Sequence, residues 1–188
     1  MSDDAFLWYL NRSTGLVILV LFSLTTALGV LSTGSRAGRR VPGFVTQAMH
    51  RNVSLLAVVM LVVHVASAVA DTFVDIRWCQ ALLPWLGSTY LPLWLGLGTL
   101  AFDLILVVTL TSLLRARLPH RAWRLVHLTA YAGWALALAH GIGIGTDVKA
   151  AEPWAYAIVG GCVALVLGAV VLRLGRLVSD GVLTGASR

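Results

Sequence analysis

The sequence predicts an all-α membrane protein, a bundle of five transmembrane helices with the N-terminus outside and the C-terminus cytoplasmic. Three observations predict it. First, 59% of the 188 residues are hydrophobic and only 12% are charged, a balance foreign to ordinary soluble domains. Second, the apolar residues gather in five runs, near 14–32, 50–70, 90–114, 122–144 and 153–174. Each is about long enough to cross a hydrocarbon core of about 30 Å, which takes about 20 helical residues. Third, the charges alternate in kind from one connection to the next, as they do in chains sorted by the positive-inside rule.

The elements follow in order. Residues 1–13 form a leader with Asp3 and Asp4 where a secretory signal would be basic, and no small-residue cleavage pattern follows. Phe6, Trp8 and Tyr9 make this leader an expected interfacial anchor. Each apolar run must then be helix, because backbone polar groups in lipid have to be satisfied within their own segment. The connection after the first run holds Arg36, Arg39, Arg40 and Arg51. The one after the third holds Arg115, Arg117, Arg121 and Arg124, and the tail holds Arg173, Arg176 and Arg188. The opposite set has only Arg12, Arg77 and Lys149 as cations, beside Asp3, Asp4, Asp71, Asp75, Asp147 and Glu152. The basic set is expected to be cytoplasmic, which requires an odd number of spans. The connection 71–89, with Trp78, Leu82, Leu83, Pro84 and Trp85, is expected to lie along the outer interface as a short amphipathic segment. Residues 177–188 read as a short, loose polar tail.

The same distribution excludes several functions. A net charge of +6 suggests nucleic acid only until its placement in short connections is seen. No G-x-G-x-x-G follows a strand pattern, so FMN, FAD or NAD(P)H chemistry is expected through a partner, with a flavin at the membrane domain left open. Cys79 and Cys162 show neither C-x-x-C nor metal spacing; Cys162 reads as a packed thiol and Cys79 as an unpaired outer one.

Four histidines carry the chemistry. His50 and His64 stand fourteen residues apart in the second run, and His127 and His140 thirteen apart in the fourth. An intramembrane imidazole is costly and needs a partner. Both runs cross in the same direction, so the pairs meet at matched depths, roughly 21 Å and 20 Å apart along their helices. His50 with His127 at the cytoplasmic level, and His64 with His140 at the outer level, suit the two axial positions of two b haems. Neutral rings donating their other N–H to a carbonyl or hydroxyl would keep both irons six-coordinate and closed to oxygen. Pairs so far apart cannot share one ion, and separate bare-metal sites would want more ligands. Helical phase is the difficulty. Fourteen residues return within about 40°, but thirteen leave an offset of about 140°. Either a bend at Gly133 or haems approaching from different sides would resolve it.

The residues around these histidines resemble a known family. Arg121-Ala-Trp-Arg-Leu-Val-His127-Leu-Thr-Ala-Tyr131, followed by His140, resembles the W-R/K-x-x-H-x-x-x-Y signature of ferric reductase-like transmembrane domains. Met49-His50-Arg51, with His64 beyond, is similar to the first histidine helix of that superfamily, which includes ferric reductases, NADPH oxidases and the haem-binding membrane subunit of periplasmic methionine sulfoxide reductase. The resemblance implies a haem-binding domain over 14–176 with two bis-histidine b haems and outward electron transfer. The sequence is expected to depart from the NADPH-driven members in lacking a fused flavin/NADPH domain.

The expected function is therefore a transmembrane electron-transfer cytochrome b of a bacterial plasma membrane. It would be an oxidoreductase-type subunit with no catalytic residue of its own. The donor would be a cytoplasmic flavoprotein or membrane quinol. The acceptor would be extracytoplasmic: ferric iron, a flavin-bearing partner or a molybdenum oxidoreductase. Arg51, Arg121 and Arg124 are candidate partners for anionic haem propionates, with plain positive-inside charge as the alternative. Trp123 is a candidate to stack near the haem or to anchor at the interface, Tyr131 to hydrogen-bond near it or simply pack, and His120 reads as interfacial. Asp103, mid-span in the third run, is expected to bond a Ser, Thr or Trp, with a proton or quinol role as the alternative. The glycines at 141, 143 and 145 are expected to end the fourth helix, and Gly160, Gly161 and Gly168 to let helices approach closely in the fifth. A haem-free scaffold or transporter and a single-haem sensor or carrier are the rival functions.

Overall fold

The computed structural model describes residues 3–32, 42–71, 74, 76–87 and 89–185. Among the described residues the chain is helical without strands. Five helices are long and apolar enough to cross a membrane: α1 (Asp3–Ser32), α2 (Gly43–Ala70), α4 (Pro92–Leu113), α5 (His120–Ile144) and α7 (Pro153–Gly185). Two short ones, α3 (Trp78–Leu82) and α6 (Thr146–Lys149), lie in the connections at one end. Arg36, Arg39, Arg40, Asp75 and Arg188 lie outside the described residues.

Helix α1 is the hub. It packs against α2, α5 and α7, while α4 packs mainly on α5. Its small and apolar residues explain the role. Ile18 and Phe22 close on Ala57 of α2 and Ile105 of α4, with Trp134 of α5 against them. Ala27 and Val30 close on Ala169 of α7. Ser23, fully buried, accepts a hydrogen bond from Trp134 Nε1 at 2.9 Å, which pins α1 to α5 halfway along both. Each such buried bond is favoured where no water competes.

One end of the bundle is tied by charge. Arg12 makes a two-pronged ion pair with the buried carboxylate of Asp147, its Nε at 2.6 Å from Oδ2, joining the start of α1 to α6. At that end the 76–87 segment folds over α4. The Trp85 ring occupies the space a side chain at Gly96 would need, and Thr99 donates to the Gln80 carbonyl at 3.0 Å. At the other end, Arg173 of α7 donates to the Val30 carbonyl at 2.9 Å, satisfying a carbonyl in the last turn of α1.

Several boundaries differ from the sequence expectation. The leader is not separate from the first span: α1 begins at Asp3, since nothing between Phe6 and Thr14 breaks a helix. The tail is helical to Gly185, because no proline stops α7 and propagation costs little once the helix is nucleated. Helix α5 ends at Ile144 with Gly145 as its cap, so Gly141 and Gly143 lie inside it. A side chain at Gly160, Gly161 or Gly168 would meet nothing within 4 Å, so these glycines mediate no close helix contact here. Cys79 is exposed, Cys162 is buried, and both are free thiols.

Candidate functional site: two facing histidine pairs

Helices α2 and α5 each carry two of the four candidate histidines, with His120 at the start of α5 outside the pairs, and the bundle brings the four together level by level. At one level the His50 and His127 rings stand with centroids 6.1 Å apart. At the other, His64 and His140 line a common cavity of about 260 Å³ that extends to Trp8, Tyr90 and the Arg12–Asp147 pair.

Each ring is held from behind by an antiparallel neighbour. His64 Nδ1 lies 3.0 Å from the Asn11 carbonyl, His50 Nδ1 3.0 Å from the Thr25 carbonyl, and His140 Nδ1 2.8 Å from the Trp94 carbonyl. A carbonyl only accepts, so in each neutral ring Nδ1 carries the proton and Nε2 keeps its lone pair for a ligand. His127 is held differently. Its Nδ1 lies 3.3 Å from Ser112 Oγ, which also receives Trp123 Nε1 at 3.4 Å.

Three glycines make these contacts possible. A helical Cβ leans toward the N-terminus and covers the turn before it. Removing it at position i therefore uncovers the carbonyl at i−4. Gly15 stands four after Asn11, Gly29 four after Thr25, and Gly98 four after Trp94. A Cβ at Gly15 would lie 3.2 Å from His64 Cε1, and one at Gly29 3.3 Å from His50 Cε1. At Gly98 it would overlap the His140 ring outright. Ser112 occupies the fourth such position, with its hydroxyl standing in for the carbonyl.

The sequence reading missed these four residues, although their spacing was visible. Gly15 and Gly29 are fourteen apart in α1, and Gly98 and Ser112 fourteen apart in α4. The α1 interval equals the fourteen-residue histidine spacing on α2, and the α4 interval is one residue longer than the thirteen on α5. The phase difficulty at α5 is met without a break: the helix runs continuously from His120 to Ile144, and α4 reaches both its rings. Gly133 is a packing site rather than an assigned hinge, with a Cβ there falling 3.1 Å from Ile105 Cδ1.

The other candidates separate into near and far. Trp123 stacks on His127 with centroids 4.9 Å apart, and Arg115 lies over its other neighbourhood at 4.3 Å from the Trp123 centroid. Arg51, Arg121 and Arg124 are exposed at the His50–His127 end. His120 is exposed and tilted against Trp123. Tyr131 is 39% exposed and makes no ring contact or hydrogen bond to a histidine among the described residues, because it projects from the outer side of α5. Asp103 has no Ser, Thr or Trp partner among the described residues.

The His50–His127 pair has the ring separation that two imidazoles on one iron would need. Two imidazoles on one iron have ring centroids about 6 Å apart, since each metal–nitrogen bond is about 2 Å and the ring centre lies about 1 Å beyond. The His50–His127 separation meets that span. Thr25 Oγ1, beside the His50 anchor, is buried without a hydrogen-bond partner among the described residues, as a wall facing a further group would be. Among the described residues no three His, Cys, Asp or Glu side chains gather as they would around a bare ion. Haem asks the protein for only two axial ligands.

The fold and site define a class: an all-helical bundle, with five helices apolar enough to span a membrane, holding two facing histidine pairs. The chain belongs to the family described as Domain of unknown function (DUF8596), whose model matches residues 6–147. That match takes in all four histidines, Gly15, Gly29, Gly98 and Ser112, and stops before α7. No curated protein and no solved structure matches the chain.

Proposed function

We propose that this protein is a transmembrane electron-transfer cytochrome b that holds two haems, one between His50 and His127 and one between His64 and His140. The observation that carries the reading is the His50–His127 pair, with centroids 6.1 Å apart and each Nδ1 already engaged. The bound haem irons would supply one-electron redox couples. The chain's own part is to fix ring orientation, exclude water and place charge.

The His50–His127 level is the cytoplasmic one in this reading, because Arg51, Arg115, Arg117, Arg121 and Arg124 cluster there. Those guanidinium groups suit anionic propionates on that side, and Arg12 is the cation nearest the outer cavity. Between the levels, Trp134, Phe22 and Ile105 fill the interior and keep it dry. A cytoplasmic flavoprotein or membrane quinol would donate, and ferric iron or a partner oxidoreductase outside would accept. The setting would be a bacterial plasma membrane.

The deciding measurement is a reduced-minus-oxidised spectrum with a pyridine haem count on the purified chain. Two haems b per chain are expected. No Soret band would leave a scaffold or transporter, and a single exchangeable haem a sensor or carrier. Ser112→Ala is expected to leave the count at two but to shift the midpoint potential of one haem only. It removes the acceptor shared by His127 and Trp123, and such outer contacts tune ligand basicity. Equal titration curves for the variant and the parent would reject that role for Ser112.

A further inference from the structure

Asp103 sits at the middle of α4, about 16 Å from either end of the helix. On the opposite side of α4, Ala101, Ile105 and Val108 are buried in the bundle. Asp103 therefore points away from the core, along a stripe with Leu106, Val107 and Leu110, which are 39%, 47% and 49% exposed. Toward the Arg12 end the same stripe is covered, Gly96 by Trp85 and Thr99 by Gln80. Below Thr99 the cover thins: Asp103 is half-buried, and Leu106, Val107 and Leu110 beyond it are exposed. No hydrogen bond or ion pair reaches Asp103 among the described residues.

A carboxylate at mid-bilayer costs about 3 kcal/mol even on insertion scales, and such groups normally face a bundle interior and pair. Here no pairing group stands against it among the described residues. We propose that the Asp103 face of α4 docks a transmembrane helix of a different membrane protein, one that carries a basic side chain at mid-span. A second copy of this chain does not satisfy it. Of the basic residues on its described spanning helices, Arg12 is paired with Asp147, Arg173 donates to the Val30 carbonyl in the last turn of α1, Arg121 and Arg124 lie in the first turns of α5, and Arg51 and Arg176 lie nearer the ends of α2 and α7 than Asp103 does to those of α4. Two copies would bring only carboxyl against carboxyl or against apolar residues. The inference rests on α4 crossing the bilayer and is independent of haem.

The test uses the full chain in lipid vesicles, labelled with a donor dye at exposed Cys79; Cys162 is buried. The probe is an acceptor-labelled synthetic leucine–alanine helix of about 22 residues with one central lysine, beside the same helix with a central leucine. The lysine helix is expected to associate roughly tenfold more tightly than the leucine helix, the range for polar interhelical bonds in membranes. Asp103→Leu should erase that difference while circular dichroism and elution volume stay unchanged, since the side chain faces away from the core. Asp103→Asn should weaken it less. Equal energy transfer to both helices, a lysine preference that survives Asp103→Leu, or Asp103-dependent transfer between differently labelled copies of the chain would each overturn the proposal.

Discussion

On the proposed two-haem reading, Gly98→Val is expected to remove the outer haem and leave the inner one. The added side chain would occupy the space of the His140 ring. The ring must then swing away, and its 2.8 Å bond to the Trp94 carbonyl is lost. Overpacking of this kind costs about 1–3 kcal/mol by itself. The larger consequence is chemical, because a ring freed from its carbonyl no longer presents Nε2 in a fixed direction. The effect should be graded. Gly15→Ala and Gly29→Ala ask neighbours at 3.2 and 3.3 Å to yield slightly, so partial loss is expected. Gly160→Val meets open space within 4 Å and serves as the control with both haems retained. Haem counts on the purified variants decide the matter; a Gly98→Val protein with two haems and an unchanged spectrum would show that the notch is incidental.

Histidine replacements should reveal the pairing by their combinations. Any single His→Ala is expected to reduce the count from two haems to one. Replacing His50 and His127 together should still leave one, since both belong to one level. Replacing His64 and His127 together should leave none, since each level loses a ligand. The contrast between these double variants is the informative quantity, because general destabilisation would lower both alike. If the His64/His127 double kept a haem while the His50/His127 double lost both, the histidines would pair diagonally and the level-by-level reading would fail.

Much of the architecture was legible because bilayer physics acts on local sequence. Five apolar runs fix five long helices, and the bounds in the structure differ from the expected ones mainly at ends. There, interfacial residues such as Phe6 to Leu10 are compatible with helix and with leader alike. The short α3 fell within the connection expected to hold an amphipathic segment. Asp103 was expected to bond a Ser, Thr or Trp, and none reaches it among the described residues. Sequence position gives depth along a helix, but which side faces the bundle depends on the neighbours.

By itself the sequence determined the number of long apolar helices, the depth of each histidine and the segregation of basic residues, since all three are functions of distance along the chain. Only the tertiary structure decided what stands behind each imidazole. An uncovered carbonyl on α1 or α4 becomes an acceptor only when an antiparallel helix lies close enough to use it. That closeness is set by glycines at 15, 29 and 98, whose meaning is a contact between helices and not a property of either one alone.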